Sequence, residues 1–330
     1  MTTVSIVVPC YNIAQFIGDC ISSIVNQTFK DWELILVDDG STDNTGEICD
    51  RLAALHSNFK VIHQQNLGVS AARRTGLLCA HGSWVMFVDG DDTLPEYALE
   101  IMVNICTATN VDIFVGSRNF HTDKCYVPKI IKLERYGVYI REEYVRLLAD
   151  YKIPMGLQSK LFKKDLLDKV DFLIPRIITN NEDYLYNLFI SSYISHVYIS
   201  QEPVYNYNIQ QSNNARDGRA TTRQYHWSYW EEYFTYLHEN YKKYNISDDT
   251  YIRSVLTKLN SLIRNNQDYR HIKYDIPPFD CISNVKPFKG FNFWQSMVII
   301  IYSYRKMSKY LILIMRFHPK KMIRNIVSKC

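Results

Sequence analysis

Short apolar runs alternate with helical stripes through the first 115 residues, and this pattern constrains the fold more than any other feature of the chain. The runs predict buried strands, and the segments between them carry apolar residues at the three- and four-residue spacing of amphipathic helices. Strands that alternate with helices form a parallel sheet covered by helices on both faces. A Rossmann-like α/β sheet is therefore predicted. The runs lie at residues 3–9, 33–37, 60–63, 84–88 and 111–115.

Polar residues cluster where three of these strands end, at Pro9–Asn12, Asp38–Asp43 and Asp89–Asp92. In open α/β sheets ligands bind outside the carboxyl ends of the strands, so the three segments should meet at one site. The first strand is followed by neither Gly-x-Gly-x-x-Gly nor Gly-x-x-x-x-Gly-Lys-Ser/Thr, which disfavours a dinucleotide cofactor and a P-loop NTPase. With both glycine-rich phosphate loops disfavoured, the strand ends predict a nucleotide-type site that holds phosphate through a metal ion.

The acidic turn after the fourth run has two interpretations. Asp89, Asp91 and Asp92 would repel one another without a cation, and oxygen-only ligands suit a hard divalent ion such as Mg²⁺ or Mn²⁺. Gly90 would supply the turn that such a site needs. Alternatively, the same acids cap a helix that begins near Pro95.

Charge is distributed unevenly along the 330 residues. From Cys281 to Cys330 there are ten Lys/Arg and no acidic residue, so of the net charge of +4 the first 280 residues contribute −6. The basic residues are mixed with aromatic residues and with apolar runs far shorter than the ~20 residues that span a bilayer. This mixture predicts a helical extension that lies on an anionic membrane surface. The alternative is a helix packed on the protein, and nucleic-acid binding is not expected because no recognised motif is present.

Eight cysteines are scattered singly, without the C-x-x-C spacing of zinc or redox sites. The first residues also lack the basic and apolar segments of a signal peptide. Both observations predict reduced thiols in a cytoplasmic protein, and the basic extension would hold it peripherally on the inner face of the cell membrane. An oligomer is compatible with the sequence.

Five segments together resemble the glycosyltransferase family 2 domain, in the same order and at similar spacing, over roughly residues 1–210. They are VSIVVPCYN (4–12), DWELILVDDGSTD (31–43), NLGVSAARRTGLLCAHG (66–82), FVDGDDTLP (87–95), and SKL (159–161) with NEDYL (181–185). The resemblance implies a GT-A-type fold and an inverting transfer from a nucleotide-sugar, expected to be a UDP-sugar. The implied acceptor is a hydroxyl of a glycan or lipid-linked glycan in bacterial-type surface polysaccharide or glycoconjugate synthesis.

The family pattern also implies roles for individual residues. The backbone at Pro9–Tyr11 would line the nucleoside pocket and Asp39 would contact uracil. Asp89 would face the ribose, and Asp91 would bind the metal that bridges the diphosphate. Arg74 stands where the family usually has asparagine. The candidate nucleotide-binding residues are Pro9, Tyr11, Asn12, Asp38, Asp39, Arg73, Asp89 and Gly90, and the candidate metal ligands are Asp91 and Asp89.

Glu182-Asp183 matches the acidic pair from which the family takes its catalytic base. An inverting transfer needs one base to remove the proton of the attacking hydroxyl. Asn180 or Asn181 can cap a helix that begins here, which puts both acids near its positive end and favours their ionised form. If the pair stood alone, the simpler interpretation would be two ordinary acidic residues at the start of a helix. With the upstream motifs, Asp183 is the predicted base and Glu182 its catalytic partner.

Three parts follow from these assignments: a nucleotide-sugar half at 1–116, an acceptor-binding half with the base at 117–225, and the helical, basic extension at 226–330. Three tyrosines of the second part, Tyr184, Tyr205 and Tyr207, could stack on sugar rings or simply pack within the protein.

A catalytically silent sugar-nucleotide-binding or scaffold protein is the alternative function, and the intact acidic pair argues against it. A sugar-phosphate nucleotidyltransferase is disfavoured because the glycine-rich basic loop after the first strand is absent.

Overall fold

The computed structural model describes residues 2–122, 126–171, 173–178, 181–209 and 227–248, together with 250–252, 254–255 and 258. The chain divides into two compact units, Met1–Arg223 and Gln224–Cys330. In chain order the first unit contains β1 Val4–Cys10, α1 Ile17–Val25, β2 Trp32–Asp38, α2 Thr45–Ala53, β3 Phe59–His63, α3 Val69–Leu78, β4 Trp84–Phe87, α4 Ala98–Thr109, β5 Ile113–Thr122, β6 Tyr126–Lys129, β7 Gly137–Ile140, α5 Arg141–Ala149, β8 Lys160–Lys163, α6 Lys164–Leu167, α7 Glu182–Ile190, a 3-10 turn at Ser191–Tyr193 and β9 His196–Ile209.

The first half of the sheet has the predicted parallel α/β form. Strands β3, β2, β1 and β4 lie side by side and run parallel, so their carboxyl ends meet at one edge. Ile6 and Val8 of β1 pack into the same core as α1. Val7 points to the other face, where α3 approaches so closely that a Cβ at Gly76 would overlap it. Helices therefore cover both faces, as the stripes predict.

The second half of the sheet departs from the prediction. The fifth strand was expected at 111–115 as a further parallel strand, but β5 extends from Ile113 to Thr122 and does not pair with β4. The four-residue strand β8 lies between them and is antiparallel to both. Beyond β5 come β9, which is parallel to it, and β7. A strand of only four residues leaves too weak a periodicity to be found in the sequence.

The predicted division at residue 116 falls inside β5, which carries one continuous sheet across that position. A separation into donor and acceptor halves remains a prediction about the roles of the two parts.

The second unit contains α8, Trp227–Lys243, within the segment predicted to be helical. Its aromatic side chains Trp230, Tyr233 and Phe234 are buried, and Lys258 Nζ lies 4.9 Å from the centre of the Trp230 ring. The basic segment predicted to bind a membrane falls on residues 281–330, which lie outside the described residues. None of the helices that the structure describes is long and apolar enough to cross a bilayer.

Candidate active site

The ends of β1 and β2 bring two of the predicted polar segments into contact. Cys10 pairs with Asp38, so the residues after each strand lie side by side. Asn12 adopts a left-handed conformation with φ 52° and joins the two loops: its amide donates to Ser41 Oγ at 3.1 Å, and its Oδ1 accepts from the Thr42 amide at 2.8 Å. Tyr11, beside it, is 39% exposed. The loop therefore presents an aromatic side chain to solvent on a fixed backbone.

Asp39 is buried and holds the loop that leads into α3. Its Oδ1 accepts from Gln64 Nε2 at 2.7 Å and from the Leu67 amide at 2.9 Å, while Oδ2 accepts from the Gly68 amide at 2.8 Å. The turn after Asp39 needs Gly40, which has φ +72° and lies where a Cβ would be 2.8 Å from the Asn66 nitrogen. Asp39 therefore shapes the pocket wall, and its contact with uracil remains a prediction.

Asp38, the last residue of β2, faces β3 and the loop at Ser41. Its carboxylate accepts from the Ser41 amide at 3.0 Å and contacts His63 Nδ1 at 2.9 Å. Burial opposes ionisation of Asp38, but the hydrogen bonds from Ser41 and His63 prevail and lower its pKa. The hydrogen bonds of His63 to Asp38 and Asp50 raise the pKa of the imidazole. These contacts give Asp38 a structural part beside the nucleoside pocket.

Arg73 of α3 joins the acidic turn to the acidic pair of α7. Its side chain is 3% exposed, with Nη1 2.6 Å from Asp183 Oδ1, Nη2 3.0 Å from Asp89 Oδ1 and Nη1 3.9 Å from Glu182 Oε1. Burial alone would lower the pKa of Arg73, but the three carboxylates outweigh it and raise the pKa. Asp183 lies 110 positions after Arg73 in the sequence and shares its guanidinium with Asp89.

The acidic pair lies where the sequence predicts it. Helix α7 begins at Glu182, so both acids occupy its first turn, and Asn181 precedes them in a left-handed conformation with φ 69°. Asn180 lies outside the described residues. Burial and the charge of Asp183 raise the pKa of Glu182, and Arg73 opposes them only in part. Glu182 therefore favours the protonated form beside its neighbour.

The three acids of the turn after β4 have separate partners. Asp89 Oδ2 accepts from Gln158 Nε2 at 2.6 Å, so both of its oxygens are engaged. Asp92 is fully buried, where it accepts from Tyr205 Oη at 2.7 Å and from the Asn208 amide at 3.0 Å. Asp92 thus ties the turn to β9, and it does not cap α4, which begins only at Ala98.

Two further residues complete this turn. Gly90 is buried, and a Cβ there would overlap Ile13 Cδ1, so a larger residue would require the Ile13 side chain to move. Asp91 is half-buried, and its carbonyl oxygen accepts from Asn208 Nδ2 at 2.8 Å.

The turn does not form a metal cage made of protein ligands alone. Among the described residues, no group of three or more His, Cys, Asp or Glu side chains has the arrangement of a metal site. Mg²⁺, however, is commonly held by one or two carboxylates together with substrate phosphates. The half-buried Asp91, next to the engaged Asp89, fits a cation that arrives with a diphosphate.

Sequence reasoning missed a polar link behind the acidic pair. Lys160 of β8 is fully buried, and its Nζ donates to the carbonyls of Pro154 and Gly156 at 2.7 and 2.6 Å and to Asn187 Oδ1 at 2.8 Å. Asn187 in turn donates to the carbonyl of Asp183 at 2.8 Å. Burial lowers the pKa of Lys160. The resemblance at 159–161 marked this segment, but nothing in its spacing showed these contacts.

Arg74 lies outside this network: its Nε is 3.5 Å from Asp171, and the two side chains are 43% and 48% exposed. The departure from the family pattern at this position therefore does not touch the acidic residues around Arg73.

The sequence model of glycosyl transferase family 2 matches residues 5–170, half of the chain. The chain belongs to glycosyl transferase family 2. The matched residues include most of β1, strands β2 to β4, the acidic turn after β4, and Arg73.

Relatives of this family 2 chain include the uncharacterized glycosyltransferase EpsJ of Bacillus subtilis (strain 168), which is 34% identical over 56% of this chain and 55% of the relative. The poly(ribitol-phosphate) beta-N-acetylglucosaminyltransferase TarP of Staphylococcus aureus (strain N315) is 32% identical over 57% of each chain. The chain thus spans a little more than half the length of these relatives. The structure of S. aureus TarS 1-349 with UDP-GlcNAc is similar at a TM-score of 0.66, with 20% identity over 86% of this chain and 80% of that one. This likeness confirms the GT-A-type fold.

Proposed function

We propose that the chain is an inverting glycosyltransferase that moves a sugar from a UDP-sugar to a hydroxyl of a glycan acceptor. The observation that carries the proposal is the Arg73 guanidinium, which holds the donor-side Asp89 and the predicted base Asp183 within hydrogen-bond distance of one group. A scaffold protein has no need for half-buried acids drawn from two distant motifs. An inverting transfer requires the two acids at one place, because the leaving diphosphate and the attacking hydroxyl meet at the same carbon atom.

Two comparisons support the donor and the acceptor class. A similar fold, S. aureus TarS, carries UDP-GlcNAc in its structure, and TarP is named for transfer to poly(ribitol-phosphate). We extend the UDP-sugar donor to this chain, together with an acceptor in cell-surface polysaccharide or glycoconjugate synthesis. The enzyme would work at the cytoplasmic face of the membrane, where its basic extension meets anionic lipid.

Asp183 is the group that takes the proton from the acceptor hydroxyl. Its Oδ1 lies against Arg73, whereas none of the described residues donates a hydrogen bond to Oδ2. Gly156 lies beside this oxygen: a Cβ there would be 3.4 Å from Asp183 Oδ2 and would overlap Gln158 Oε1, so the Gln158 amide occupies the space next to the glycine. Glu182, which favours its protonated form, keeps a second negative charge away from Asp183.

Asp91, with Asp89, would hold the divalent cation, Mg²⁺ or Mn²⁺, that accompanies the donor. When bound, such an ion neutralises charge that develops on the departing diphosphate. The side chains themselves orient the site: Gln158 and Arg73 fix Asp89, and Tyr205 fixes the backbone of the turn by accepting from the Asp89 amide at 3.1 Å.

The test is a panel of UDP-sugars with a glycan acceptor, in which released UDP and glycosylated product are both measured. Asp183→Asn should lower transfer by about 10²–10⁴-fold, the usual contribution of a general base, while UDP binding is retained. Asp165→Asn is the matched control, since Asp165 is an exposed acid on α6. Full transfer activity in Asp183→Asn would remove Asp183 as the base. UDP binding without turnover of any donor in the wild type would favour the scaffold alternative.

A further inference from the structure

A second cluster of polar and aromatic side chains lies on the ribbon formed by β5 and β9. Phe120 pairs with Tyr207 across the two strands, and their ring centres are 5.3 Å apart. Two cations flank this pair: Arg118 Cζ lies 5.8 Å and Lys129 Nζ 5.1 Å from the centre of the Phe120 ring. We call these four residues the acceptor platform.

The topology places the acceptor platform at the same edge of the sheet as the acidic turn. Strands β4 and β5 are both antiparallel to β8, so they run parallel to each other and end at one edge. The Gly116 amide of β5 donates to the Ser159 carbonyl at 2.9 Å, next to Gln158, which holds Asp89.

Along this edge the order is β2 with Asp39, then β4 with Asp89, then β5 and β9 with the platform. The acidic turn also reaches β9 directly, because Asn208, next to Tyr207, donates to Asp92 Oδ1 at 3.0 Å and to the Asp91 carbonyl at 2.8 Å. If the nucleoside lies at β2 and the diphosphate at β4, the donor sugar follows the diphosphate along this edge. The acceptor then lies beyond the donor sugar, towards β5 and β9.

The charge of Arg118 is poorly compensated within the described part of the chain. Its guanidinium is half-buried, and no described carboxylate lies within ion-pair distance of it, whereas Arg73 has three. Burial lowers the pKa of Arg118, and the surrounding phenols of Tyr205 and Tyr207 and the charges of Asp92 and Asp183 offset this only in part. A partly desolvated cation without an anion costs free energy that a bound anion would recover.

We propose that the acceptor platform binds an acceptor with a negatively charged group, a phosphate or a carboxylate, beside the sugar that receives the transfer. The planar guanidinium of Arg118 matches either anion with two parallel hydrogen bonds, and Lys129 adds a second positive charge. The half-buried rings of Phe120 and Tyr207 offer apolar faces for the adjoining sugar. This inference rests on the proposed function and specifies its acceptor class.

The experiment measures binding of three oligosaccharides of equal length to the full chain at low salt: a neutral one, one containing uronic acids and one joined by phosphodiesters. The wild type should bind at least one charged probe about tenfold more tightly than the neutral probe, as expected for one charge-assisted contact. The carboxylate and phosphate probes identify which anion is preferred. Arg118→Gln should remove the preference and Arg118→Lys should keep part of it, because lysine retains the charge without the fork. Melting temperatures show whether each variant is folded.

Lys60→Gln is the matched control, because Lys60 is an exposed cation on β3, at the opposite end of the sheet. It should retain the full preference for the charged probe. Lys129→Gln, at an exposed position, should reduce the preference and serves as a second test if Arg118→Gln does not fold. The proposal would be overturned if the wild type bound charged and neutral probes equally, or if the preference for the charged probe survived both substitutions. Arg118 and Lys129 would then serve only to pack against Phe120. UDP binding, measured alongside, tests the donor site separately.

Discussion

At the start of α7 two adjacent carboxyl groups lie beside one guanidinium, and this arrangement should make the stability of the protein depend on pH. Burial and Asp183 raise the pKa of Glu182, so the folded state holds the proton of Glu182 more tightly than the unfolded state does. The free energy of unfolding therefore falls as the pH rises above the ordinary pKa of a carboxyl group. In that range the unfolded state loses the proton readily, whereas the folded state must either keep it or bury a second negative charge.

Glu182→Gln should therefore raise the melting temperature at pH 8 and have a much smaller effect at pH 5, since glutamine resembles the protonated acid. Thermal unfolding across this pH range at constant ionic strength measures the difference. Glu47→Gln, on the exposed face of α2, should show no such trend. Parallel pH profiles for wild type and Glu182→Gln would contradict the inferred protonation of Glu182.

Asp91 is the residue on which the metal proposal depends. It follows Asp89 and Gly90 in the turn after β4 and is half-buried. Asp91→Ala should abolish the increase in UDP affinity that Mn²⁺ or Mg²⁺ produces, measured by titration calorimetry with and without the ion. Asp19→Ala, at an exposed acid on α1, should leave that increase intact. An unchanged metal effect in Asp91→Ala would rule it out as a ligand.

Between the elements, Lys160 of β8 and Asn187 of α7 form a buried link that fixes the base. Asn187 Oδ1 accepts from Lys160 Nζ and from Tyr144 Oη, and its Nδ2 donates to the carbonyls of Met155 and Asp183. Asn187→Ala would leave the ammonium and two carbonyls short of partners, at a cost of about 2–4 kcal/mol in the free energy of unfolding. Transfer should fall as well, because the backbone of Asp183 loses its support.

Urea unfolding and transfer rates measure both effects. Asn104→Ala, an exposed asparagine of α4, should change stability by less than about 0.5 kcal/mol. A fully stable and active Asn187→Ala would show that the link is dispensable.

The elements differ in how far the sequence reveals them. Strands β1 to β4 carry strong apolar runs between helical stripes, so their existence and order were predictable, with bounds correct to within about a residue. Strand β8 has four residues and owes its place to pairing with β4 and β5, which leaves no local pattern. The acidic residues were found through motifs, whereas the partners Gln158, Tyr205 and Asn187 come from tertiary contacts that spacing does not encode.

At the scale of the whole molecule, charge separates a negatively charged first part from a basic end. The net charge is −6 over the first 280 residues and the remaining 50 carry ten Lys/Arg. Each basic residue close to an anionic surface contributes about 1 kcal/mol to membrane binding. We therefore propose that the basic end, and not the catalytic unit, brings the enzyme to a membrane that holds its acceptor.

Replacing Arg305, Lys306 and Lys309 together by glutamine should weaken binding of the full chain to phosphatidylserine vesicles by about two orders of magnitude, since three charges contribute about 3 kcal/mol. Sedimentation with vesicles of increasing anionic content measures the partitioning, and added salt should mimic the substitution. The matched control replaces one arginine and two lysines at exposed positions of the first unit and should retain binding, which excludes a general effect of net charge. Unchanged sedimentation of the first variant would place any membrane contact elsewhere in the chain. The control positions are Arg51, Lys60 and Lys132.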